Sequence, residues 1–126
     1  MHLVSDLIVR IKTANIANKK VTYAPFSNLL KSILRVLKNH KYIKDFKVFK
    51  KGNIKQIKIY LDIENKPIND LKVVSKPGSR IYLNCLQLKK RKSNLGIIIV
   101  STSKGVCTTK EAIKLGSGGE VLLKIW

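Results

Sequence analysis

The sequence predicts an α+β fold in two small domains. An N-terminal α-β-α-β-β unit covers residues 1–64, and a C-terminal, mostly antiparallel β unit with short helices covers residues 65–126. Three observations carry this reading. Apolar residues recur at spacings of three and four in two early segments, and the pattern then switches to strict alternation after His40. A polar, proline-punctuated stretch at residues 64–69 reads as a linker between two differently patterned halves.

Leu7, Ile8, Ile11 and Ala14 give the first helix, over residues 5–17, one apolar face, which turns Arg10 and Lys12 toward solvent or a partner. An extended piece at residues 21–24 ends at Pro25. A residue before proline avoids the helical region, so the second helix starts later, with Ser27 as its N-cap and Leu30, Ile33, Leu34 and Leu37 as its buried stripe. Phe46 and Val48 alternate with Lys47. Ile57, Ile59, Leu61 and Ile63 then alternate with Lys58, Tyr60 and Asp62, which predicts two strands of a hairpin. Lys51, Gly52 and Asn53 form the turn, since glycine and asparagine both tolerate positive φ.

In the second half, short strands at residues 71–74 and 80–84 flank Lys76-Pro77-Gly78-Ser79, where Pro then Gly suits the centre of a type II turn. The unbroken apolar run Ile97-Ile98-Ile99-Val100 predicts a strand buried on both faces. Thr108 and Glu111 form a capping box for a short helix that Gly116 ends, and residues 121–126 make a closing strand.

A chain of 126 residues, 44% of them hydrophobic, can bury a core but is too short for a large multidomain enzyme. Its 26 Lys and Arg against 7 Asp and Glu give a net charge of +19, which calls for an anionic partner, nucleic acid foremost. Residues 1–64 hold 14 basic and 4 acidic side chains and residues 65–126 hold 12 and 3, so the charge belongs to the folded body and not to a tail. The sequence contains no apolar run of the roughly 18 residues that a membrane span needs, and no signal-peptide pattern, so an intracellular protein is expected. Cys85 and Cys107 match no zinc or redox spacing and read as free thiols of a reducing compartment.

Enzymatic readings lack parts. The seven acids are too scattered to hold Mg²⁺, and His2 and His40, at a chain terminus and a helix end, leave a Ser or Cys nucleophile without a base. Gly116-Ser117-Gly118-Gly119 matches no phosphate-binding loop and reads as a turn. No metal, cofactor or small-molecule substrate is expected.

Binding residues are easier to find. Ser101, Thr102 and Ser103, with Lys104 and Gly105, follow a buried strand and precede a helix. Hydroxyls there either meet base edges, ribose and phosphate or satisfy their own backbone as an ordinary loop. Tyr82 alternates with Ile81 and Leu83 and so shares a face with Arg80 and Asn84. It either stacks an unpaired base or packs at the domain junction. Residues 89–92, Lys-Lys-Arg-Lys, are either a phosphate patch or a solvated loop.

From Ile97 to Trp126 the sequence, with Ser-Thr-Ser-Lys-Gly at 101–105 and Gly-Ser-Gly-Gly-Glu at 116–120, closely resembles the C-terminal signature of the small-subunit ribosomal protein S-eight family. Ser75-Lys76-Pro77-Gly78-Ser79-Arg80-Ile81-Tyr82 resembles the family's central segment. Ser5-Asp6, Arg10-Ile11, Ala14-Asn15, Pro25 with Ser27, and Tyr42-Ile43 extend the likeness over nearly the whole chain. His2-Leu3 stands in place of the family's usual Asp-Pro, Thr13 in place of Asn, Asn28 in place of Lys and Cys107 in place of Met.

The resemblance implies a non-catalytic, early-binding protein that grips an irregular stem in the central domain of 16S rRNA and helps assemble the subunit platform, as a monomer in cytoplasmic ribosomes. Neighbouring proteins, S-five and S-twelve, are implied as partners. Ser101, Thr102, Ser103, Lys104 and Gly105 would enter the distorted groove, Tyr82 would stack nearby with Lys76 and Arg80 alongside, and Glu120 would accept from base amino groups. Asp6, Arg10, Thr13, Asn15 and Ser27 would touch a second stem. A translational repressor that binds a messenger stem mimicking the rRNA site is the alternative, and would use the same surface.

Overall fold

The computed structural model describes residues 3–65, 67–91 and 96–126. Helix α1 (Leu3–Ile16) buries Val4, Leu7, Ile8, Ile11 and Ala14, the stripe that the spacing predicts. It leads into β1 (Val21–Pro25) and then α2 (Asn28–Asn39). Ser27 holds the extended N-cap conformation of α2, with φ −154° and ψ 143°, but its side chain makes no capping bond. The helix forms regardless, because Leu30, Ile33, Leu34 and Leu37 are each fully buried. At about 1.5–3 kcal/mol per buried side chain, the stripe outweighs the roughly 1 kcal/mol of a missing side-chain cap.

β2 (Asp45–Lys51) and β3 (Ile54–Tyr60) form the hairpin, and the antiparallel sheet runs β1-β3-β2. Lys51 pairs with Ile54, so the turn is two residues, Gly52 and Asn53. Only Gly52 has a positive φ, 66°, the pattern of a type II′ turn with glycine first. Asn53 therefore does not use the positive φ that the sequence allows it. β3 also stops before Leu61 and Ile63. Leu61 instead donates its N–H to the carbonyl of Lys20, at 2.8 Å, and is buried.

The stretch predicted as a linker is tied down on both sides. Ile68 is a core residue, and its carbonyl accepts from the Asn15 side-chain amide at 3.1 Å. Just beyond it, the Asn69 and Asp70 N–H groups both donate to the carbonyl of Trp126. Lys66 lies outside the described residues.

The second sheet comprises β4 (Leu71–Val73), β5 (Tyr82–Leu83), β6 (Ile97–Thr102), β7 (Gly105–Thr108) and β8 (Gly119–Ile125), in the order β4-β8-β6-β7 with β5 also on β8. All of its pairings are antiparallel. The turn before β5 is as expected, with Gly78 at φ 79° and the Ser79 N–H donating to the Lys76 carbonyl at 2.9 Å. The predicted strand at 80–84 is reduced to two residues, because Asn84 caps a helix, α3 (Cys85–Lys90), that the periodicity did not reveal. Asn84 and Gln87 form its capping box, a signal present in the sequence. α4 (Thr109–Lys114) has the expected Thr108–Glu111 capping box. It ends in a Schellman motif, in which Gly116 N–H donates to Ile113 and Ser117 N–H to Ala112.

β6 is the strand buried on two faces. Ile99 joins a large cluster with α1, α2 and the first sheet, while Val100 joins a second, smaller cluster with Leu88, Cys107, Ala112 and Val121. A register shift between Ile99 and Val100 places the one extra residue, Leu122, in β8. Leu122 and Leu123 thus both enter the larger cluster, which draws on residues of both halves of the chain.

Candidate nucleic-acid interface

Three of the sequence-predicted residues fall into one cross-strand row. Tyr82 of β5 pairs with Glu120 of β8, and Glu120 pairs with Ser101 of β6. Directly opposed residues of an antiparallel ladder project from the same face, so an aromatic ring, a carboxylate and a hydroxyl stand side by side. Two glycines permit this. A Cβ on Gly119 would lie 2.1 Å from the Ser101 carbonyl oxygen, and a Cβ on Gly118 would lie 2.4 Å from that of Leu83. The glycine cluster read as a mere turn is thus the close-approach point that draws β5 and β6 onto β8.

The hydroxyl segment is not a loop between strand and helix. Ser101 and Thr102 end β6, Ser103 and Lys104 are a two-residue turn, and Gly105 begins β7, with Thr102 paired to Gly105. The run therefore forms the tip of a hairpin, and its hydroxyls divide by role. Thr102 serves its own backbone: its Oγ1 donates to the Gly105 carbonyl at 2.8 Å and accepts from the Lys104 N–H at 3.1 Å. Ser103 is exposed, and the Ser101 and Ser103 hydroxyls have no hydrogen-bond partner among the described residues. Lys104 donates its ammonium to the Leu115 carbonyl at 3.2 Å, at the C-terminal end of α4 where positive charge is favoured.

Tyr82 is 64% exposed, so it is not packed at a junction. Arg80 reaches Glu120, with Nη1 at 3.4 Å from Oε2 and 3.5 Å from Oε1. The carboxylate side chain is 14% exposed and the arginine 54%, which leaves a mostly covered anion held by a solvated cation. Such a long, solvent-side pair is worth about 1 kcal/mol at most and yields readily to a better donor. Lys76 stands exposed at the turn before this pair. The base of that turn is locked by Ser75, which is fully buried and whose Oγ accepts from the Ile81 N–H at 3.0 Å. Cys85 and Cys107 are both free, and burial pushes the Cys107 thiol above its ordinary value.

Residues 2–126, nearly the whole chain, match the family model described as ribosomal protein S8. It is 42% identical to the small ribosomal subunit protein uS8 of Nitratiruptor sp., covering 98% of this chain and 97% of that one. Similar matches are the small ribosomal subunit proteins uS8 of Halothermothrix orenii, 43% identical over 98% and 96% of the two chains, and of Campylobacter fetus, 42% identical over 98% and 97%. The chain belongs to the ribosomal protein S8 family.

Within this S8 chain the N-terminal candidates do not join the row. Asp6 pairs with Arg10 at 3.0 Å, and Arg10 also donates to the Tyr23 carbonyl at 2.9 Å, so both brace α1 against β1. Asn15 uses its amide to hold Ile68, as described. Thr13 is exposed and Ser27 half-buried. Between the end of α2 and the β6–β7 hairpin lies a polar cleft lined by Arg35, His40, Lys104 and Glu111. There His40 Nε2 lies 3.5 Å from Glu111 Oε1. Burial alone would raise the Glu111 carboxyl, but hydrogen bonds from Thr108 and His40 outweigh it and hold its pKa below the usual value. Lys89, Lys90 and Arg91 are exposed, whereas Lys92 and His2 lie outside the described residues. No helix among the described residues is long and apolar enough to cross a membrane.

Sequence reasoning missed Ser75, Gly118 and Gly119 as parts of the site. The glycines were legible as a cluster, but nothing local to them names the strands that approach.

Proposed function

We propose that this S8 protein is a structural constituent of the small ribosomal subunit that binds the central domain of 16S rRNA directly and helps assemble the subunit platform. The observation that supports this best is the Tyr82-Glu120-Ser101 row, lying beside an exposed Ser103 on a body with a net charge of +19. The duplex major groove of RNA is too narrow for a helix to read, so a β-hairpin tip presenting hydroxyls suits a shallow or distorted groove. Tyr82 offers a ring for an unpaired base. Glu120 repels phosphate and selects an exposed amino group, a role in which the weak Arg80 contact is exchanged for a base donor. Lys76, Arg80 and Lys104 add phosphate contacts, and the brace around Asp6, Arg10, Thr13, Asn15 and Ser27 lies against a second stem. Within the subunit the protein acts as a monomer without catalysis, beside ribosomal proteins S-five and S-twelve.

Titration of the irregular stem with purified protein over a series of salt concentrations tests the electrostatic part. Neutralising about six phosphates gives a slope of log affinity on log salt near −5, and a slope near zero refutes it. Co-sedimentation with the small subunit tests the assignment itself, and failure to sediment overturns it.

A further inference from the structure

We infer that the outer face of the first sheet is a second nucleic-acid site, one that takes unpaired, stacked nucleotides. Tyr23, Gln56 and Phe49 belong to the three strands in the order β1-β3-β2, and the pairing register places Tyr23, Lys58 and Lys47 in one cross-strand row. From the two edge strands, Tyr23 and Phe49 meet over the central one, with ring centroids 6.0 Å apart and planes at 74°. Tyr60 shares this face, two residues from Lys58, whose ammonium lies 5.1 Å from the Tyr60 ring. Neither core cluster includes Tyr23, Phe49 or Tyr60, and Tyr23 is 45% exposed. The rings are therefore not part of the packed interior.

Charge selects the occupant. Lys51 and Lys58 have no carboxylate partner among the described residues, and the one acid of the face, Asp45, is ion-paired to Lys38 at 3.0 Å, with Lys47 near enough to help hold its carboxyl below the ordinary value but not ion-paired to it. The central part of a protein–protein interface is depleted in charge, because desolvating an unpaired ammonium is costly. Rings alternating with uncompensated lysines instead match a strand whose bases stack and whose phosphates accept the ammonium groups. The inference rests on the proposed reading only for where such a strand comes from, an unpaired segment of rRNA.

The test uses the full-length protein and a short labelled oligoadenylate with no stem, read by fluorescence anisotropy. Tyr23→Leu and Phe49→Leu are each expected to weaken binding between about fivefold and a hundredfold, the range for removing one stacked-base contact. Tyr23→Trp is expected to retain it. Lys47→Gln is expected to reduce the salt slope by about one. Unchanged circular dichroism and melting temperature in Tyr23→Trp and Lys47→Gln keep the reading independent of folding. Tyr82→Leu is the comparison. If oligoadenylate binding responds to it and not to Tyr23→Leu, the ligand sits only at the other site and the inference fails. It fails equally if ultraviolet cross-links from β1 and β2 in assembled subunits reach a protein rather than RNA. Loss of stem binding with oligoadenylate binding intact would overturn the proposed function while leaving this site standing.

Discussion

Replacing Gly119 with alanine places a methyl group 2.1 Å from the Ser101 carbonyl oxygen and 3.1 Å from the Thr102 Cα. Both are backbone atoms of β6, so no side chain can swing aside. Reaching the 3.0 Å that real Cβ contacts respect requires β6 and β8 to separate locally by about 0.9 Å. Hydrogen bonds near 2.9 Å would then open beyond the useful range of about 3.2 Å. Losing one or two ladder bonds at about 1 kcal/mol each, with about 1–3 kcal/mol of overpacking, gives a cost of roughly 2–4 kcal/mol. For a domain of this size that is a melting temperature lower by roughly 10 °C. The assay is thermal and urea unfolding alongside Gly52→Asn, where a side chain meets nothing within 4 Å and only the φ of 66° matters. That control is expected to lose about 1 kcal/mol or less. Gly119→Ala as stable as the control would refute the close approach, and with it the alignment of Tyr82, Glu120 and Ser101.

Other expectations follow from the same geometry. Asn84→Ala removes one half of the α3 capping box and should cost about 1 kcal/mol in urea unfolding, whereas Ser27→Ala, lacking a capping bond, should cost much less. A thiol reagent at neutral pH should label the partly exposed Cys85 well before Cys107, which is buried with its pKa raised, and mass spectrometry of the peptides reads the order. Because the Glu111 carboxyl is held below its ordinary 4.5 in the folded state, the unfolded chain takes up that proton first as the pH falls. Its stabilisation is therefore complete above pH 4.5 and lost below it, and Thr108→Ala should flatten this part of the urea-midpoint profile.

Long apolar periodicities made the N-terminal α-β-α-β-β order legible. The stripe from Leu30 to Leu37 dominates α2 whatever its cap does. Short elements were hidden for physical reasons. α3 has one buried residue, Leu88, so it shows no apolar stripe and announces itself only by the Asn84–Gln87 box. β7 was obscured because Gly105 to Thr108 is four residues long and abuts the capping box of α4. For the site, residue types pointed to Ser101, Ser103 and Tyr82, and the family resemblance added Glu120. Their juxtaposition depends on pairings between residues far apart in the chain, which spacing cannot express. The intramolecular bonds of Asn15 and Arg10, to the carbonyls of Ile68 and Tyr23, were likewise beyond what helical spacing can express.

The central claim is that the β8 row and the hairpin tip read RNA rather than merely attract it. Its most direct measurement is the ratio of affinities for the irregular rRNA stem and for a regular duplex of equal length, at one salt concentration, in Ser103→Ala and Glu120→Gln. Each substitution is expected to lower that ratio by about 1–3 kcal/mol, with duplex binding unchanged in Ser103→Ala and not weakened in Glu120→Gln, which removes a charge that repels phosphate. Equal weakening on both RNAs, or none on either, would contradict the account.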